Sequence, residues 1–130
     1  MKSNHITYDH IKSFDRVNDI ISASDNSFEE LNEIPPREKL TYTNGFYVNC
    51  SALFVDIRAS SQLPKKHTRP KLAKLYRVYL SEIVAIMNGN NSCAEINIEG
   101  DSVSGIYNTP YQLDINKVFN VAAKISSLID

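Results

Sequence analysis

The run Ala52-Leu53-Phe54-Val55-Asp56-Ile57 constrains the fold more than any other stretch of the chain. A near-continuous apolar run of this length suits a strand covered on both faces. Its single carboxylate is the anomaly. A charge cannot be buried unpaired without a large cost. Asp56 therefore has to reach solvent, a cationic partner or a metal, or else cap the loop that follows.

Upstream, Leu40-Thr41-Tyr42-Thr43, then Asn44-Gly45, then Phe46-Tyr47-Val48 predict a β-hairpin, because Asn-Gly suits the two positive φ values of a type I′ turn. Its second arm is expected to continue through Ile57. Downstream, Leu72, Leu75, Tyr76, Tyr79, Leu80, Ile83, Val84 and Met87 recur at three- and four-residue steps and predict a helix over 68–88. Pro70 fits its first turn, and Gly89 is expected to supply a left-handed cap. From Cys93 to Glu99 the chain alternates, with Ala94, Ile96 and Ile98 on one side and Glu95, Asn97 and Glu99 on the other. Gly100-Asp101 marks a turn, and Ser102 to Tyr107 is the return strand. Ile115, Val118, Phe119, Ala122, Ile125 and Ile129 predict a final helix, with Asp114 as its N-cap.

The order from residue 46 is strand, helix, strand, strand, helix, one strand short of the βαββαβ unit. The expected class is α/β (α+β), a ferredoxin-like βαββα(β) core over residues 37–130 whose C-terminal part lies beyond this sequence. Residues 1–36 form an N-terminal helical segment. Ile11, Phe14, Val17, Ile20 and Ile21 have helical spacing. Ser27-Phe28-Glu29-Glu30 fits a capping box for a second, short helix ahead of Pro35-Pro36.

Composition excludes several classes. At 130 residues and 14.7 kDa the chain has the size of one domain. Fourteen Lys+Arg against fifteen Asp+Glu leave a net charge of −1, which predicts no nucleic-acid partner. No apolar run approaches the roughly 20 residues of a membrane span. Cys50 and Cys93 lie far apart with no C-x-x-C spacing, so the expected setting is reducing and cytoplasmic.

The second carboxylate of interest is Asp101, in Ile98-Glu99-Gly100-Asp101-Ser102-Val103. Taken alone it is an ordinary turn aspartate. If strand 46–57 is central and lies beside strand 93–99, Asp56 and Asp101 converge at one sheet edge. Two hard oxygen donors are what Mg²⁺ or Mn²⁺ takes beside substrate phosphates. Arg58-Ala59-Ser60-Ser61-Gln62 follows the strand and is suited to presenting N–H groups to phosphate, or is an ordinary polar loop. Lys65 to Arg77 is basic, which fits either attraction of a polyanion or a solvated helix face.

These residues resemble a known family. Leu53 to Ser61 is similar to the first metal-binding strand of the class III nucleotide cyclases, and Ile98 to Val103 to their glycine-aspartate hairpin. The resemblance implies that Asp56 and Asp101 are the metal-binding aspartates, that the Ile57 carbonyl is a backbone ligand, and that Ala59, Ser60 and Ser61 hold the triphosphate. It implies two Mg²⁺ or Mn²⁺ ions per site and attack of the ribose 3′-hydroxyl on the α-phosphorus of a nucleoside triphosphate, with release of pyrophosphate. Purine cyclases commonly carry a base-reading lysine three residues before the hairpin glycine. Asn97 stands there, an amide that both donates and accepts. With Asn44-Gly45-Phe46-Tyr47, Arg58-x-Ser60-Ser61 and Arg69-Pro70-Lys71-Leu72, the wider pattern is most similar to the pyrimidine (uridylate/cytidylate) cyclases of bacterial Pycsar antiphage defence. There UTP or CTP is the substrate, and a downstream effector gated by the cyclic nucleotide is the partner. Tyr47 narrows the base pocket in this reading; otherwise it is a core tyrosine of the hairpin. The family's transition-state Asn and Arg act across a head-to-tail homodimer, from elements beyond residue 130. Three alternatives stay open: an adenylate or guanylate cyclase, an inactive cyclase-like domain that dimerises or senses a ligand, and an RNA-binding sheet, which lacks its aromatic signature here.

Overall fold

The computed structural model describes residues 1–57 and 62–129, with the backbone only at Ile129. It divides into two compact units, Met1–Leu31 with Pro35–Tyr47, and Asn32–Ile34 with Val48–Asp130.

In the first unit, helix α1 spans His10–Ile21. The Asp9 carboxylate caps it by accepting from the N–H groups of Ile11 (3.0 Å) and Lys12 (3.3 Å). The apolar positions predicted from the spacing do fall in this helix, yet Ile11, Phe14, Val17, Ile20 and Ile21 are all exposed. The capping-box helix does not form. Phe28–Glu30 is instead a short strand, β1, paired in parallel with β2, Gly45–Tyr47. The expected hairpin around Asn44-Gly45 is also replaced. The Asn44 side chain accepts from the Thr41 N–H and donates to the Lys39 carbonyl, each at 2.7 Å. That local closure uses the amide instead of positive φ: among the described residues, only His5 and Gly100 have φ above zero.

The second unit holds a three-stranded antiparallel sheet with order β3-β5-β4, where β3 is Cys50–Val55, β4 is Cys93–Glu99 and β5 is Ser102–Asn108. Short α2 (Leu63–Lys66), long α3 (Arg69–Asn88) and α4 (Gln112–Ile129) complete the strand, helix, strand, strand, helix order of the α+β core. Two expectations about β3 are corrected. It is not central and does not lie beside β4; β5 lies between them and pairs with both. Nor is it covered on both faces. Leu53 and Val55 pack against the core, while Phe54 on the other face is 76% exposed.

The core forms on the helix side of the sheet. Val103 and Tyr107 of β5 meet Ile83 and Met87 of α3 and Val118, Val121 and Ile125 of α4. Gly105 lies between the two β5 residues, and a Cβ there would approach Tyr107 Cε2 to 2.9 Å and Met87 Sδ to 3.2 Å. This close approach of helix to strand selects glycine. The Tyr107 ring is fully buried, its hydroxyl donating to the Met87 carbonyl at 3.5 Å. Burial, with Cys93 close by, pushes its pKa up to about 12.

Two helix ends differ from expectation. Gly89 stays right-handed (φ −68°) and its N–H reaches the carbonyls of Ala85 and Ile86, so the helix simply tightens. Asp114 lies inside the first turn of α4, and its carboxylate accepts from the Tyr111 N–H at 3.1 Å. This is the reciprocal half of a capping box, not an N-cap.

Candidate active site

β3 and β5 run antiparallel with Val55 opposite Val103, so the next residue of β3, Asp56, comes level with Ser102. The Ser102 hydroxyl donates to Asp56 Oδ1 at 3.1 Å. Asp101 immediately precedes Ser102, in the turn where Gly100 takes φ +64°. That left-handed conformation is the one glycine adopts without strain. The backbone positions of the two acidic residues thus lie at one end of the sheet through the β3–β5 pairing, not through the β3–β4 contact expected from sequence.

A third side chain lies within the electrostatic influence of both. Tyr79 of α3 packs against the core, and its hydroxyl is buried without a hydrogen-bond partner among the described residues. Its pKa is raised, first by burial and then by the negative charges of Asp56 and Asp101. A carboxylate close by disfavours a phenolate, so the phenol stays a donor.

The open face of the sheet carries the neighbouring row. In β4, Ile96 and Ile98 pair with Gly105 and Val103 on the helix side; Asn97 pairs with Ser104, which also pairs with Phe54. Asn97, Ser104 and Phe54 therefore form one cross-strand row, and Glu99, Ser102 and Asp56 the next. The register shift between Cys93 and Glu95 takes Ala94 out of the expected alternation.

Of the other sequence-predicted positions, Ile57 follows Asp56 directly and is partly buried. Ala59, Ser60 and Ser61, with Arg58, lie outside the described residues. Tyr47 ends β2 in the other unit, with its side chain 64% exposed. Among the described residues, no three His, Cys, Asp or Glu side chains gather as a metal cage. A pair of carboxylates is nevertheless a fitting donor set for a hard cation that takes its remaining oxygens from backbone, phosphate and water. A hollow of about 570 Å³ lies elsewhere, by the C-terminal end of α3, and its lining of Asn90, Lys117, Lys124 and neighbours holds no acid.

Sequence reasoning missed Ser102 and Tyr79. Ser102 could have been found only by knowing that β5 pairs with β3. Tyr79 sits within an apolar stripe and gives no separate signal.

Comparison with known proteins finds similar sequences. Over 109 residues the chain is 45% identical to a uridylate cyclase of Gulbenkiania mobilis, covering 82% of this chain and 42% of that protein. It is 38% identical over 122 residues to a uridylate cyclase of Treponema porcinum, covering 94% of this chain and 42% of that protein. The chain thus spans less than half the length of these relatives. No protein-family model matches it. The helix-backed antiparallel sheet is the α+β core of a nucleotide-cyclase-like domain. Within that class, the chain is similar to the uridylate cyclases that these two proteins represent. No described helix is long and apolar enough to cross a membrane.

Proposed function

We propose that the protein converts a pyrimidine nucleoside triphosphate, UTP foremost, to its 3′,5′-cyclic monophosphate and pyrophosphate. The observation that carries this is the hydrogen bond of Asp56 to Ser102, the residue that follows Asp101, in a stretch 45% identical to a uridylate cyclase. The O3′–Pα bond forms as the bond from Pα to the leaving pyrophosphate oxygen breaks, and the 3′-hydroxyl proton is lost.

Asp56 and Asp101, with the Ile57 carbonyl, would hold the divalent cations. Two Mg²⁺ or Mn²⁺ ions, when bound, would lower the pKa of the 3′-hydroxyl and offset the triphosphate charge. Ser102 fixes the Asp56 carboxylate before any ligand arrives, which spares that rotamer's ordering cost on binding. Ala59, Ser60 and Ser61 cradle the triphosphate. Asn97 lies on the open face, one cross-strand row from Asp56, and its amide reads the base edge. An amide offers a donor and an acceptor to a pyrimidine edge, where a lysine offers donors only.

The wider setting belongs to the same proposal: a head-to-tail homodimer, antiviral signalling, and an effector gated by the cyclic product. The test is incubation of a form that spans the full length of these relatives with Mn²⁺ and each of the four nucleoside triphosphates, with products separated by chromatography and identified by mass. Cyclic UMP from UTP is expected. Cyclic product from purines alone would overturn the base assignment, and none from any substrate would overturn the enzyme.

A further inference from the structure

We propose that the hollow beside the C-terminal end of α3 binds a phosphate group through Lys117 and Lys124 of α4. This site is separate from the acidic pair and stands whether or not Asp56 and Asp101 hold a cation.

The hollow measures about 570 Å³, within the range of small-molecule sites. Two helices of the core build it. From α4 come Lys117, Asn120 and Lys124, whose steps of three and four residues put them on one helix face. Val121, buried in the core, anchors that stretch of α4. From the end of α3 and the turn after it come Gly89, Asn90 and Asn91.

The chemistry of the lining is one-sided. Both lysines offer donors only, and no carboxylate joins them among the described residues. Neither lysine side chain has an ion pair or hydrogen bond among those residues. Glu33 and Asp114 line an adjoining hollow that Lys117 also borders, without pairing with it. The Asp114 carboxylate accepts instead from the Tyr111 N–H. Asn90 Oδ1 accepts from the Ser92 N–H at 2.8 Å, so its NH₂ is the end left to offer.

Lysines near a helix C-terminus ordinarily serve its last carbonyls. Here the fold meets that need itself. The Gly89 N–H donates to the Ala85 and Ile86 carbonyls at 3.1 and 3.3 Å. The Met87 carbonyl accepts from the Asn90 N–H and the Tyr107 hydroxyl. Two like charges facing one hollow raise its attraction for an anion. A phosphate group brings about two negative charges and three acceptor oxygens, which matches two ammoniums and nearby amides. Strand β4 runs from this end of the fold to Glu99, in the row of Asp56, so the hollow lies roughly 20 Å from the acids. Pyrophosphate, the product of the proposed reaction, and the phosphate of a nucleotide both carry the required chemistry.

The test is calorimetric titration with pyrophosphate and, separately, with UMP, in EDTA so that no divalent cation takes part. The protein is used in a form that spans the full length of its relatives. The parent is compared with Lys117→Gln/Lys124→Gln and with Lys12→Gln/Lys39→Gln, which removes the same charge elsewhere. All four lysines are exposed, so each variant is expected to melt as the parent does. Saturable binding to the parent is expected, weakened about tenfold or more in the Lys117/Lys124 variant and unchanged in the control. The tighter of the two ligands identifies the source of the phosphate. Failure of both ligands to bind the parent would overturn the proposal. So would a Lys117/Lys124 variant that binds as the parent does, or a control that loses as much.

Discussion

The Ser102 hydroxyl donates to Asp56 Oδ1 across 3.1 Å, joining residues 46 positions apart in the chain. One antiparallel register produces this contact: Val55 opposite Val103 leaves the next residues on each strand facing one another. Because Asp101 immediately precedes Ser102, the same register puts the second acidic residue at the same end of the sheet.

Ser102→Ala should separate geometry from stability. The bond lies in an exposed place, where water competes for both partners and an interaction with a charged group contributes about 1 kcal/mol or less. The melting temperature is therefore expected to change little. Mn²⁺ affinity is expected to fall several-fold, because Asp56 loses the donor that fixes its rotamer. A thermal unfolding scan checks the first and calorimetric titration with Mn²⁺ the second.

Asn97→Lys should move base preference. The position lies on the open face in the row beside Asp56. Replacing an amide by an ammonium removes the acceptor and keeps donors. The ratio of kcat/KM for UTP to that for GTP or ATP is expected to fall, while Mn²⁺ binding without nucleotide stays parental. An unchanged ratio would mean that another residue reads the base.

Gly105→Ala should damage the core without touching the acids. The added Cβ would lie 2.9 Å from Tyr107 Cε2 and 3.2 Å from Met87 Sδ. Overpacking of this kind costs about 1–3 kcal/mol. A lower urea midpoint with an unchanged slope is the expected outcome.

Alkaline stability should depend on Tyr107. Burial raises its pKa from 10.0 to about 12 in the folded protein. Below about pH 10 both folded and unfolded chains keep the proton. Above that, the unfolded chain loses it first, so stability falls as pH rises toward about 12. Tyr79 and Cys93 are raised too and act in the same direction. Urea unfolding across this range should show the fall, and Tyr107→Phe should make it shallower.

How far the sequence could be read depended on whether a signal was periodic or pairwise. Helix α3, the Cys93–Glu99 strand and the return strand from Ser102 were legible because their apolar spacing repeats over many residues. Asn44-Gly45 misled, because an Asn side chain can close a loop through its own amide without positive φ. Ser27 to Glu30 misled because a short capping motif is overridden when the next residues find a strand partner in Gly45–Tyr47. Asp56 and Asp101 stood out as acids in apolar or turn settings. Their meeting through β5 could not be read, because strand order is a property of the whole sheet. Tyr79 was hidden for another reason: inside an apolar stripe, only its hydroxyl distinguishes it from a packing residue.

The most direct measurement is Mn²⁺ affinity in a double-mutant cycle of Asp56→Asn and Asp101→Asn. If the two carboxylates serve one site, each single substitution should remove tight binding and the double should lose little more. Singles that keep parental affinity, or losses that simply add, would show two acids acting apart, and would contradict the shared cation site on which this account of the protein rests.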